Sequence, residues 1–93
     1  MLKFEWDKEK DKLNKAKHGV SFKDAKKAFL DPDVVFTNDP EHSENEERFH
    51  CLGIVKGKVL TVRFTLREQN IRIIGAGYWR KGKKIYEKEK NNS

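Results

Sequence analysis

Three arginines, Arg63, Arg67 and Arg72, sit on adjacent runs of alternating polarity, and a cationic cluster of Arg80, Lys81, Lys83 and Lys84 follows. A guanidinium stays charged at any working pH, and its planar fork donates two parallel hydrogen bonds to a phosphate. Fixed cations on a rigid support are what a protein needs to hold a polyphosphate backbone, so RNA or DNA is the first partner to consider. Tyr78 and Trp79 stand beside the cluster. Rings next to cations can stack on unpaired bases, although packing of Trp79 under the following helix is the favoured reading of the residues alone. His18 closes a charged stretch. There it can act as a general acid or base near neutral pH, or merely favour a helix C-terminus as a cation.

A hairpin must position the arginines. In Lys58–Arg67 the residues Leu60, Val62, Phe64 and Leu66 alternate with Thr61, Arg63, Thr65 and Arg67. A two-residue turn at Glu68-Gln69 pairs Leu66 with Ile71, Phe64 with Ile73, Thr65 with Arg72 and Arg63 with Ile74. Core residues then share one side and the arginines the other. A three-residue turn would set Arg72 against Phe64 and bury an unpaired guanidinium, which is strongly unfavourable. The arginine face reads either as a phosphate-binding platform or as a solvated face paired to acidic residues.

The other elements follow from period and punctuation. Leu2, Phe4 and Trp6 alternate with Lys3 and Glu5 as a short strand. Asp7 caps a helix over Lys8–Lys17 with a thin stripe of Leu13 and Ala16, and Gly19 ends it. Ser21 and Asp24 open a second helix over Phe22–Leu30, with Phe22, Ala25, Ala28 and Phe29 inward, and Asp31-Pro32-Asp33 breaks it. Val34–Thr37 is a brief strand, NDPEHSENEE reads as a solvated acidic loop, and Arg48–Lys56 and Asn70–Trp79 are strands flanking Lys58–Arg67. A last helix is expected over Lys81–Lys90, with residues 91–93 frayed. The expected fold is α+β, in the order β-α-α-β-β-β-β-α. It has an antiparallel sheet with two N-terminal helices on one face, a C-terminal helix, and a face left open.

Ninety-three residues suit one domain spanning residues 1–93. Residues 1–47 carry nine Lys against twelve Asp or Glu, whereas residues 48–93 carry twelve Lys or Arg against three Glu. The C-terminal half should therefore attract anions while the N-terminal half does not. Cys51 is the sole cysteine, so no internal disulfide can form, and its apolar neighbours suggest a buried thiol. Three scattered histidines and one cysteine show no metal-ligand spacing, so neither metal nor cofactor is expected. No apolar run is long enough to span a membrane and no signal core opens the chain, so a cytoplasmic location is expected.

The chain resembles the BrnT family of toxins from type II toxin–antitoxin systems. The resemblance is carried by FEWD at Phe4–Asp7, NKAKHGVSF at Asn14–Phe22, and Phe29 with Asp31-Pro32. It continues through DPEHSENEERF at Asp39–Phe49, Thr65-Leu66-Arg67 and IRII at Ile71–Ile74. It implies a RelE/ParE-like fold and a metal-independent endoribonuclease that inhibits translation through attack of a ribose 2′-hydroxyl on its own phosphate. It also implies a BrnA-like antitoxin, a ribbon-helix-helix protein that blocks the toxin and links it to operator DNA. By motif position, Arg67 and Arg72 become phosphate ligands, Arg63 a supporting cation and His18 a proton-transfer group. Arg80, Lys81, Lys83, Lys84, Tyr78 and Trp79 become RNA-binding candidates. The family continues IRII as Ser-Ala-Arg, but here Gly75-Ala76-Gly77 follows, so the arginine expected at position 77 is missing. Either Arg80 replaces it, or the chain is a weak or inactive member that serves as an antitoxin-binding co-repressor. A free-standing nucleic-acid-binding module is a third reading.

Overall fold

The computed structural model describes residues 3–92. Its strands are β1 (Lys3–Glu5), β2 (Val35–Asn38), β3 (Arg48–Val55), β4 (Lys58–Arg67) and β5 (Asn70–Gly77), and its helices are α1 (Lys8–His18), α2 (Phe22–Ala25) and α3 (Arg80–Asn91). Two 3-10 segments interrupt the expected order, Lys26–Leu30 after α2 and Pro40–His42 after β2. The second helix is thus α-helical for only one turn. It tightens where it crosses β3, because the Ala28 carbonyl rests on Gly53, where any Cβ would collide with it. Leu2 lies outside the described residues, and α3 extends to Asn91.

The sheet runs β1-β5-β4-β3-β2 and is mixed, correcting the antiparallel expectation: β1 pairs with β5 in parallel, Phe4 opposite Ile71. Short turns force β3, β4 and β5 to be antiparallel, but nothing local constrains β1, which reaches the far edge before the helices cross the sheet. The Lys56-Gly57 turn has positive φ at both residues, 54° and 81°, as a primed two-residue hairpin requires. The β4–β5 register matches Leu66 with Ile71, Phe64 with Ile73 and Thr65 with Arg72. A bulge then shifts it, so Arg63 faces Gly75 rather than Ile74.

One sheet face holds the main core, where Phe22, Ala25 and Ala28 meet Cys51, Leu60, Val62, Phe64 and Ile73. Burial pushes the Cys51 thiol up to about 12, which leaves it inert. The caps form as expected, with Asp7 accepting from Glu9 and Lys10, Ser21 accepting from Asp24, and Gly19 at φ 71°. The stripe of α1 differs from expectation. Leu13 is 67% exposed, and the buried residue is Asn14. Its amide donates to the carbonyls of Val20 and Ala76 at 2.9 Å each and accepts from the Ala76 N–H at 3.1 Å.

The opposite face is not left open. α3 lies on it through Gly82, Ile85 and Tyr86, against Leu52, Val59 and Thr61. The Tyr86 hydroxyl donates to Asp31 Oδ2 at 2.7 Å, and the Ile54 N–H donates to the same oxygen at 2.7 Å. Burial opposes charge on Asp31, but the bonds from Tyr86, Asp33 and Ile54 outweigh it and hold its carboxyl below the ordinary value. Among the described residues, no helix is long and apolar enough to cross a membrane.

Removing the Tyr86 hydroxyl should loosen α3. Tyr86→Phe is expected to lower unfolding free energy by about 1–2 kcal/mol in urea titrations. A lowered carboxyl stabilises the fold above its unfolded value and ceases to do so as pH falls through the folded one. Asp31's contribution should therefore be complete above pH 3.8 and fade below it. Melting across that range in wild type and Asp31→Asn checks this.

Candidate active-site groove

The face that carries α3 also carries the arginines. Alternation along β4 sets Thr61, Arg63, Thr65 and Arg67 there, with His50 of β3 opposite Arg63 and Arg48 opposite Thr65. Arg63 lies across β5 because Gly75 has no side chain: a Cβ would sit 2.6 Å from its Nη2. Its Cζ is 5.7 Å from the centre of the Trp79 ring, a cation–π contact. Trp79 in turn rests on Gly77, where a Cβ would sit 2.6 Å from Cε2, and the His18 ring meets it edge-on at 5.3 Å. Arg63 Nε is buried without a protein partner. These residues line a cavity of about 570 Å3 that is walled by Lys81 of α3 and by the Asp39–His42 turn.

That turn holds what the sequence reading missed. Asp39 is 5% exposed, and the His42 Nδ1 lies 3.1 and 3.0 Å from its two carboxylate oxygens. His50 Nε2 approaches the same Oδ2 at 3.2 Å. Burial would raise the Asp39 carboxyl, but the His42 hydrogen bond and the two imidazoles outweigh it, so it lies below its ordinary value. Burial also holds His50 below the usual imidazole value; Asp39 opposes this, while Arg63 and Lys81 add to it. The acidic stretch is thus not a simple solvated loop. A usable signal was present: Asp39 and His42 are three residues apart across Pro40, the spacing of a single turn, and His50 shares the parity of the Arg63 face.

The expected site residues divide. Arg63, His18, Trp79 and Lys81 meet in the groove. Arg67 borders a second cleft of about 490 Å3 with Arg48 and Glu46, and its Nε is 3.7 Å from the Glu46 carboxylate. Arg72 is bound at 2.8 Å by Glu5, whose carboxyl is held low first by Asn70 and then by Arg72. The platform and salt-bridge readings of this face therefore both describe part of it. Arg80, Lys83 and Lys84 are exposed on α3 and do not line the groove. Tyr78 also lies outside it, donating to the Val55 carbonyl at 3.0 Å.

The groove, built from a sheet face and one helix end, brings a guanidinium, a lysine and imidazoles together. A family model described as ribonuclease toxin, BrnT, of type II toxin–antitoxin system matches residues 6–82, which include every groove residue named above. The chain belongs to this family: it is a BrnT-family ribonuclease toxin of a type II toxin–antitoxin system, a class that implies an RNA substrate and an antitoxin. No curated protein matches it.

The glycine at position 77 has a local cause, since any side chain there would strike Trp79. Gly77→Ala should displace the indole from the groove. In a Trp6→Phe background, Trp79 emission should shift to the red, and an unchanged spectrum would contradict this packing.

Proposed function

We propose that the chain is a metal-independent endoribonuclease that cleaves RNA by 2′-hydroxyl attack and so inhibits translation. The observation that carries this is Arg63, a guanidinium on a glycine floor with its Nε unpartnered and an open cavity above it. Cleavage of this kind must hold the phosphate in line, stabilise the charge of the phosphorane and manage two protons. Arg63 is the phosphate and transition-state ligand. Trp79 stacks against it, Lys81 adds charge, and His18 returns a proton to the departing 5′-oxygen. Arg67 and Arg72 extend the cationic track on the same face, and Arg80, Lys83 and Lys84 steer RNA towards it. The start of α3 supports this, because its first turn has no acidic residue and no side-chain cap. Cations crowded at the positive end of a helix repel it and favour a bound anion.

A BrnA-like ribbon-helix-helix antitoxin would inhibit by covering this basic face, and would link the toxin to operator DNA. The second reading, a weak or inactive member acting as co-repressor, is favoured by one observation: Trp79 occupies the space that the family arginine at position 77 would need.

RNA incubated with purified protein in EDTA, alone and on ribosomes, separates the two readings. Cleavage to 2′,3′-cyclic phosphate ends is expected, and Arg63→Ala should slow it about 10²–10³-fold with the melting temperature unchanged. Arg67→Ala should slow it less. RNA left whole in both settings, together with a stable antitoxin complex, would favour the co-repressor.

A further inference from the structure

A guanidinium cannot accept a proton at working pH, so Arg63 cannot activate the attacking hydroxyl. We propose that His42, oriented by Asp39, is the general base that takes the 2′-hydroxyl proton; this rests on the ribonuclease reading and deepens it. The argument is geometric. The His42 Nδ1 faces both oxygens of a nearly buried carboxylate at 3.1 and 3.0 Å. A carboxylate only accepts, so the Nδ1–H donates and the lone pair falls on Nε2, the nitrogen pointing away. This is the logic by which the aspartate of a hydrolase triad fixes its histidine. The His42 side chain is 48% exposed. His42 borders both cavities of the arginine face, between the Arg63 groove and the Arg67 cleft.

The support is rigid. The Asp39 N–H donates to the Arg48 carbonyl at 2.9 Å, and the Asp39 carbonyl accepts from the His42 N–H at 3.3 Å and the Ser43 hydroxyl at 2.6 Å. Ser43 Oγ accepts from the Arg48 N–H at 3.0 Å, which ties the turn to β3. His50 Nε2 adds a second contact to the carboxylate, at 3.2 Å from Oδ2. The nitrogens of His42 and His50 both address the Asp39 carboxylate, and no group among the described residues is arranged to hold a metal ion.

The chemistry balances. His42 Nε2 takes the proton from O2′, the O2′–P bond forms and the P–O5′ bond breaks. His18 returns a proton to O5′, leaving a 2′,3′-cyclic phosphate and a 5′-hydroxyl. Asp39 stabilises the imidazolium formed on His42, which then releases its proton to water.

The test uses the full chain with an RNA transcript and, for binding, the same transcript fully 2′-O-methylated. His42→Ala should lower kcat about 10²–10⁴-fold while affinity for the methylated RNA stays within threefold of wild type. Added imidazole should restore part of the lost rate, which a structural role would not allow. Asp39→Asn should lower kcat with KM unchanged, as expected of a positioning residue. An unchanged rate in His42→Ala, or a loss that imidazole does not relieve, overturns the His42 role and leaves the ribonuclease reading standing. Wild-type cleavage abolished by EDTA and restored by zinc would instead make Asp39, His42 and His50 a metal site and also overturn it. A wild type that leaves RNA whole removes the ribonuclease reading and the base together.

Discussion

The arrangement depends on Asn14. β1 is three residues long and pairs only with Asn70–Arg72, so the rest of β5 would show an unpaired edge. Past the bulge, the Asn14 side chain takes the place of the missing strand, bonding both the N–H and the C=O of Ala76. A buried amide that satisfies two backbone groups and the Val20 carbonyl does what a leucine could not, since apolar packing would leave those groups orphaned. The same clamp fixes the end of α1 over β5 and so brings His18 to Trp79. It is bonded to the middle of the Gly75–Gly77 segment, against which Arg63 and Trp79 lie.

Much of the fold was legible because its signals are local. Strand parity on β4, the Asp7 and Ser21 caps, Gly19 and the Asp31-Pro32 break each act within a few residues, and each forms as read. What was not legible is non-local. Nothing between Leu2 and Trp6 encodes the parallel pairing of Phe4 with Ile71, and nothing in the alternation of Asn70–Trp79 encodes the bulge that sets Arg63 opposite Gly75. The inner face of α1 was misread because an apolar stripe was sought where a polar clamp exists.

The candidate groove was legible in the kind of side chain it gathers but not in which of them meet. Parity correctly gathered three arginines on one face, yet parity does not say what each one meets. Glu5 and Glu46 engage Arg72 and Arg67, whereas Arg63 retains an unpartnered nitrogen in the groove. His42 and His50 were given no role because each was weighed alone. Two of them become a unit only through Asp39, a carboxylate that composition had assigned to a solvated loop. Position 77 reads as a loss in the sequence, but in the fold it is the space that Trp79 needs.

Local rules are kept on the face packed by α1 and α2 and broken on the α3 face. α1 and α2 have side-chain caps, whereas α3 starts uncapped among four basic residues. Among the described residues, the buried side-chain polar atoms without a protein partner are Arg48 Nε, Thr61 Oγ1 and Arg63 Nε. All three belong to the α3 face, and none to the face packed by α1 and α2. Unmet donors and repelled cations destabilise a free protein, and they persist when the surrounding structure holds them in place. Here the surroundings are the glycine floor, the Asn14 clamp and the Asp39 turn. A polyanion laid on this face would supply the acceptors and negative charge that the protein itself leaves out.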